Sequence, residues 1–151
     1  MVGGDFYDFI WIDFNLLGLV IADVSDKGIP AALLMAKAMT LIRAHLDALQ
    51  NPAEALRKAN EELAKDNDQA MFVTAFVAMY DVHTGELTYS NAGHNNPLLL
   101  RAGRAQEIGG GMSVPLGADE GAEFGNLQEQ LQPADVLFLF TDGVSEAMDP
   151  D

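Results

Sequence analysis

The chain contains no cysteine, which excludes disulfides and thiolate zinc sites alike. Basic side chains are scarce as well. Eight Lys and Arg stand against 23 Asp and Glu, giving a formal net charge of −15. The eight are scattered between Lys27 and Arg104 without a cluster, so the phosphate backbone of a nucleic acid would find no grip. No apolar run approaches the roughly 20 residues needed to cross a bilayer. Met1 leads directly into Val2-Gly3-Gly4-Asp5 rather than into a basic and then apolar leader, and the cytoplasm is the expected compartment.

What is present is enough for a packed core. Of 151 residues, 49% are hydrophobic, which fits one domain spanning 1–151. Most of the acidity reads as a solvated surface. Such a surface would repel a phosphate ester unless bound cations reversed the local field.

Two strands are expected between Phe6 and Ile21, separated by a turn at Asp13 to Asn15. Gly28-Ile29-Pro30 opens a helix running to about Leu49, with Met35, Met39, Ile42, Leu46 and Leu49 at helical spacing. A second helix starts at Asn51-Pro52-Ala53-Glu54, with Asn51 as cap and Glu54 placed to reach back to it. Beyond it the period changes to that of strands. Met71 to Tyr80, Glu86 to Ala92, Leu98 to Arg101, Phe124 to Leu131 and Val136 to Thr141 are short, apolar or alternating, and punctuated by glycine and proline. Runs of strands beside a block of helices predict an α+β domain with mostly antiparallel sheets.

Three aspartates stand out against this pattern. Asp5 sits in a glycine turn, Asp23 closes Leu19-Val-Ile-Ala, and Asp142 follows Leu137-Phe-Leu-Phe-Thr and precedes Gly143. Carboxylates at strand ends are the hard oxygen ligands that magnesium and manganese favour. A calcium loop beginning at Asp23 is excluded, because the twelfth position holds Leu34 rather than glutamate. An aspartyl-phosphate site at Asp142 is weak, since Val144 stands where a second acid belongs. Gly109-Gly110-Gly111 lacks the Lys-Ser/Thr of a phosphate loop.

Five segments taken in order carry a resemblance: Val2 to Asp8, Ala22-Asp-Val-Ser-Asp-Lys-Gly-Ile-Pro-Ala-Ala-Leu33, Met71-Phe-Val-Thr-Ala-Phe76, Asn91-Ala-Gly-His-Asn95 and Leu137 to Ala147. Together they resemble the bacterial serine/threonine phosphatases of the stage II sporulation protein E and sigma-B regulator type, within the metal-dependent PPM (protein phosphatase 2C-like) family. The resemblance implies an αββα sandwich of two mostly antiparallel sheets flanked by helices. It also implies a binuclear Mn²⁺ or Mg²⁺ site, with Asp23 bridging, Asp5 and the carbonyl of Val24 completing one ion, and Asp142 ligating the other. A water held between two such ions would be deprotonated near neutral pH and attack phosphorus in line. Gly143 would allow a tight turn beside the metal.

The same resemblance sets expectations about partners and about gaps. The substrate would be a phosphorylated regulator of the anti-anti-sigma type, and the helix pair from about Pro30 to Asp68 would relay input from an attached sensory or dimerising domain, with a homodimer compatible. Relatives carry a further C-terminal aspartate beside the ion of Asp142; this chain reaches Asp151 without it and begins at the glycine turn, so trimming at both ends and weak activity are expected. Asp26 stands where the family commonly has glycine, Asn96 where proline is usual, and Ser25 where eukaryotic relatives place a histidine proposed as general acid. Asp8 fits a turn cap as well as a site residue, and His94, beside Asn95, fits a structural hydrogen-bonder better than a catalyst. The alternative to an enzyme is a module of the same fold with an incomplete metal site, used for partner binding or signal sensing.

Overall fold

The computed structural model describes residues 4–65, 70–110 and 113–145. Two antiparallel sheets face each other. Sheet A has five strands in the order β1-β2-β3-β4-β7, formed by Phe6–Trp11, Leu16–Val24, Val73–Asp81, Glu86–Ala92 and Leu127–Gln130. Sheet B has three, ordered β6-β5-β8, from Arg104–Glu107, Leu98–Arg101 and Val136–Phe138. Helices α1 (Ile29–Leu49) and α2 (Pro52–Lys65) lie between β2 and β3 in the chain, and a single turn, α3, spans Asp142–Ser145.

Strand alternation divides the core in two. On the helix side of sheet A, Val20, Ala22 and Val24 of β2 pack with Val73, Ala75, Val77 and Met79 of β3 against Ile42 and Leu46 of α1 and Leu56 and Leu63 of α2. The opposite face presents Leu19, Ile21, Phe76, Leu87 and Tyr89 to Leu99 of β5 and Ile108. Both clusters are well buried, with Phe76 completely so. On the same inter-sheet face, Tyr7, Phe9 and Trp11 at the β1 edge stay exposed, and the first two border an open apolar cleft with Leu137, Phe138 and Leu139.

The α+β expectation and the two facing antiparallel sheets are as read from the sequence. The long helices cover sheet A, and among the described residues the one further helix is the single turn α3. Proline stands in the first turn of α1 and Asn51 caps α2 through its side chain to the Glu54 amide at 3.2 Å. Glu54 does not complete a capping box, because its carboxylate is taken by Arg57. Helix α1 also corrects the statement about long apolar segments: its 21 residues are long and apolar enough to cross a membrane by composition. Its inner face is nonetheless occupied, with Ala31, Ala38, Ile42 and Leu46 buried in the core.

β7 and β8 are about half their predicted length, β3 is shifted to Val73–Asp81, and β6 is an addition to the predicted set. The ladder between β5 and β8 ends at Phe138, so Leu139 to Thr141, although apolar, have left the sheet. β7 likewise begins only at Leu127. β6 has four exposed residues and no alternation to betray it. It exists because Ala102 and Gly103, both at positive φ of 49° and 75°, close a two-residue hairpin that returns Arg104 alongside Arg101.

Candidate functional site

The register of sheet A places the acidic residues. β1 and β2 pair Phe6 with Ala22, so one step further along the same register Asp5 comes beside Asp23. Asp23 in turn lies opposite Thr74 of β3. Residues directly opposite one another share a face, and here that face is the one turned toward sheet B. Asp23 thus stands at the rim of the inter-sheet space, at the end from which the segment after β8 arrives.

Close approach of the backbone at Gly4 makes this possible. A Cβ there would sit 3.1 Å from the Val24 carbonyl oxygen and 3.2 Å from Asp23 Oδ1. The Gly4 carbonyl accepts the Val24 amide at 3.3 Å, tying the glycine turn to the end of β2. Thr141 completes the convergence by donating its hydroxyl to Asp5 Oδ2 at 2.7 Å. Asp142, exposed at the start of α3, then follows within electrostatic reach of Asp23.

Electrostatics single out Asp23. Partial burial, a hydrogen bond shared with Asp5, and the charges of Asp5 and Asp142 together push its carboxyl up to about 7, against a smaller opposing contribution from the Val24 amide. None of these influences comes from a lysine or arginine. A proton held between two carboxylates stands where a cation would be more effective, and an all-oxygen donor set of two carboxylates and a backbone carbonyl suits a hard divalent ion. Asp5, Asp23 and the Val24 carbonyl are oxygen donors of the kind such an ion takes, but among the described residues no group of three acidic or histidine side chains is placed to hold a metal ion.

His94 is buried behind this rim with both ring nitrogens engaged, Nδ1 with Thr74 Oγ1 and Nε2 with the Phe140 carbonyl, each at 3.0 Å. Burial holds its pKa below the ordinary histidine value, against the opposing pull of the Phe140 carbonyl and of the Asp5 and Asp142 charges. Asp8 is not part of the site: its carboxylate pairs with Arg43 of α1 at 2.5 Å, bracing β1 against the helix. Ser25 accepts the Phe72 amide at 3.1 Å, and Asp26 accepts the Lys27 amide at 2.7 Å, so both serve the turn after β2. Asn95 is exposed, while Asn96 links Asn91 to Glu107. Gly143 has no positive φ and sits within α3, which removes the tight-turn explanation for it. Asp149 and Asp151 lie outside the described residues.

Thr74 and Thr141 had not been singled out from the sequence. Both stand inside segments noticed for other reasons, Thr74 in Met71 to Phe76 and Thr141 immediately before Asp142. Their contribution depends on register and on a 136-residue separation, neither of which a local pattern carries.

Comparison with known proteins agrees with this arrangement. The family model for stage II sporulation protein E (SpoIIE) matches residues 15–151. The phosphoserine phosphatase RsbU of Bacillus subtilis (strain 168) is 30% identical, over 96% of this chain and 43% of that protein. Among solved structures, the RsbU and RsbW domains of Rv1364c from Mycobacterium tuberculosis superpose with a TM-score of 0.84 at 32% identity, covering 96% of this chain and 40% of that one. The PP2C phosphatase domain of SpoIIE from Bacillus subtilis gives a TM-score of 0.82 at 18% identity, over 99% and 45%. The chain thus spans less than half the length of these relatives. With a family model matching residues 15–151 and a fold shared with PP2C-domain structures, the chain belongs to the SpoIIE family of bacterial PPM-type phosphatase domains.

Proposed function

We propose that this chain is the catalytic core of a metal-dependent phosphoserine/phosphothreonine protein phosphatase. The observation that carries the reading is the convergence of Asp5 and Asp23 in the β1–β2 register with the Asp142 segment, which Thr141 ties to Asp5, and with no cationic side chain among the influences that raise the Asp23 carboxyl. In this reading Asp5, Asp23 and the carbonyl of Val24 hold one Mn²⁺ or Mg²⁺, and Asp23 and Asp142 hold a second. Bound there, the ions would supply an ionised water as nucleophile and neutralise charge on the phosphoryl oxygens. The protein's own part is orientation: Gly4 admits the backbone against Val24, and Thr141, just before α3, fixes the Asp5 carboxylate. Family resemblance extends the proposal to a phosphorylated anti-anti-sigma-type regulator as substrate, in the cytoplasm, under control of an attached sensory or dimerising domain.

A second reading is favoured by one observation: no closed three-ligand cluster exists among the described residues. In that reading the chain is a binding module with an incomplete site. Manganese-dependent hydrolysis of p-nitrophenyl phosphate and of a phosphoserine protein, lost in Asp23→Asn, is the result expected for the enzyme. Turnover of neither substrate, with identical melting curves in Mn²⁺ and in chelator, would establish the module instead.

A further inference from the structure

We propose that His94 is a positioning residue for the metal site, a neutral strut that holds the Asp142 segment against the strand carrying Asp23. The inference rests on the phosphatase reading for its purpose and on geometry for its mechanism.

The segment leading to Asp142 needs such a support. Among the described residues β8 pairs only with β5, and the ladder ends at Phe138. From Leu139 to Thr141 the chain runs toward the rim without strand pairing. Two cross-sheet side-chain bonds meet it there, His94 to the Phe140 carbonyl at 3.0 Å and Thr141 to Asp5 at 2.7 Å. The first lies two residues before Asp142, within the reach over which fixing one carbonyl fixes the next side chain.

Hydrogen-bond chemistry specifies the tautomer. A carbonyl can only accept, so Nε2 carries the proton and donates to Phe140. The neutral ring then offers Nδ1 as acceptor to the Thr74 hydroxyl at 3.0 Å. That hydroxyl has one proton, and the Asp23 carbonyl at 3.4 Å is its weaker alternative. Because Thr74 is directly opposite Asp23 in the sheet, the chain of bonds runs from the neighbour of Asp23 through one imidazole to the approach of Asp142. Burial favours the uncharged ring that this pattern needs.

The imidazole is itself fixed from behind. Asn91 of β4 accepts the His94 amide at 2.8 Å and donates to the His94 carbonyl at 2.9 Å, pinning the backbone on both sides. The preceding Gly93 adopts a φ of 71°, and a Cβ there would lie 3.0 Å from Pro115. The Asn91-Ala-Gly-His94 segment is thus shaped to deliver one side chain into the gap between the sheets. A residue that merely filled space would require neither ring nitrogen to be placed.

The test uses His94→Ala, His94→Gln and Thr74→Val, with Mn²⁺ affinity read by titration calorimetry and backbone protection read by hydrogen exchange in chelator. His94→Ala is expected to weaken Mn²⁺ binding at least about tenfold, in line with other residues that orient metal ligands. Its lost protection should be confined to the 139–144 segment. His94→Gln, which can still donate to Phe140, should recover most of the affinity, and Thr74→Val should show a smaller effect of the same kind. Affinity within twofold of wild type in His94→Ala would overturn the proposal, as would protection lost evenly across the fold. Should His94→Ala not fold, His94→Gln and Thr74→Val decide by the same criteria. Absence of Mn²⁺ binding by the wild-type chain would sink the metal reading, while the exchange pattern would still decide the strut: local loss supports it, global or no loss overturns it.

Discussion

Two places where the sheets meet hold carboxylates, and they are built in opposite ways. In one, Arg101 of β5 grips Asp135 with Nε and Nη2, the latter at 2.6 Å, and also donates to the Gln130 carbonyl at the end of β7. Asp135 is held below the usual carboxylate range, first by the Arg101 hydrogen bonds and then by the Gln132 amide. In the other, Asp23 meets Asp5 and Asp142, and its carboxyl is pushed up to about 7. A carboxylate whose cation is supplied by the fold is finished; one whose neighbours are carboxylates is poised for something the fold does not supply. The comparison matters more here than a count of acidic residues, since a chain with 23 of them has many that mean nothing.

Supplying the missing cation genetically should break the contrast most severely. Thr141 already contacts Asp5, so Thr141→Lys would place an ammonium beside the acidic pair. The metal-free melting temperature should rise and the Mn²⁺-induced increase should vanish, together with Mn²⁺-dependent hydrolysis. Retention of a full Mn²⁺ shift in calorimetry would argue that the ion binds elsewhere.

The reverse experiment removes a cation where the fold supplies one. Arg101→Met leaves Asp135 without its partner and the Gln130 carbonyl without a donor, so melting temperature should fall while Mn²⁺ affinity stays unchanged. The sign with pH is definite. Asp135 has a folded-state pKa below its unfolded value, so its contribution is present above the unfolded pKa and lost as pH falls through the folded one. The melting difference between wild type and Arg101→Met should therefore shrink in acid. A difference that persists unchanged there would locate the effect in the packing of the arginine stem.

The two places also differ in how far the sequence disclosed them. Asp5, Asp23 and Asp142 are conspicuous because each stands in a glycine turn or directly after an apolar run, and the order of five segments names their family. Arg101 and Asp135 are 34 positions apart and sit in unremarkable surroundings, so nothing local joins them. The same distinction runs through the fold. β4 was legible to the residue because Leu87 and Tyr89 alternate with the less buried Glu86 and Thr88. β6 was invisible because all four of its residues are exposed, and its existence depends on the ladder with β5. Leu139 to Thr141 were overread as strand because apolar composition reports burial, whereas strand requires a partner. The role of His94 falls between these cases: the residue is conspicuous, but its two partners, Thr74 of β3 and Phe140 beyond the end of β8, are far apart in the chain.

The smallest expected effect separates the two places by the slope of stability with pH. Asp23 has a folded-state pKa near 7, above its unfolded value of 3.8. Between those two values the metal-free folded state holds a proton that the unfolded chain has released, so stability declines as pH rises through the interval. This is opposite in sign to Asp135. Asp23→Asn removes the titration, and the melting difference between the variant and wild type, measured in chelator, should move in favour of the variant from pH 5 to pH 7.5. Excess Mn²⁺ should reverse the trend for wild type alone, because a divalent ion takes the place of the shared proton and binds better as the carboxyl ionises. A difference that does not change with pH would mean that solvent, rather than Asp5 and Asp142, sets the ionisation of Asp23, and the acidic rim would then be no more poised than the surface around it.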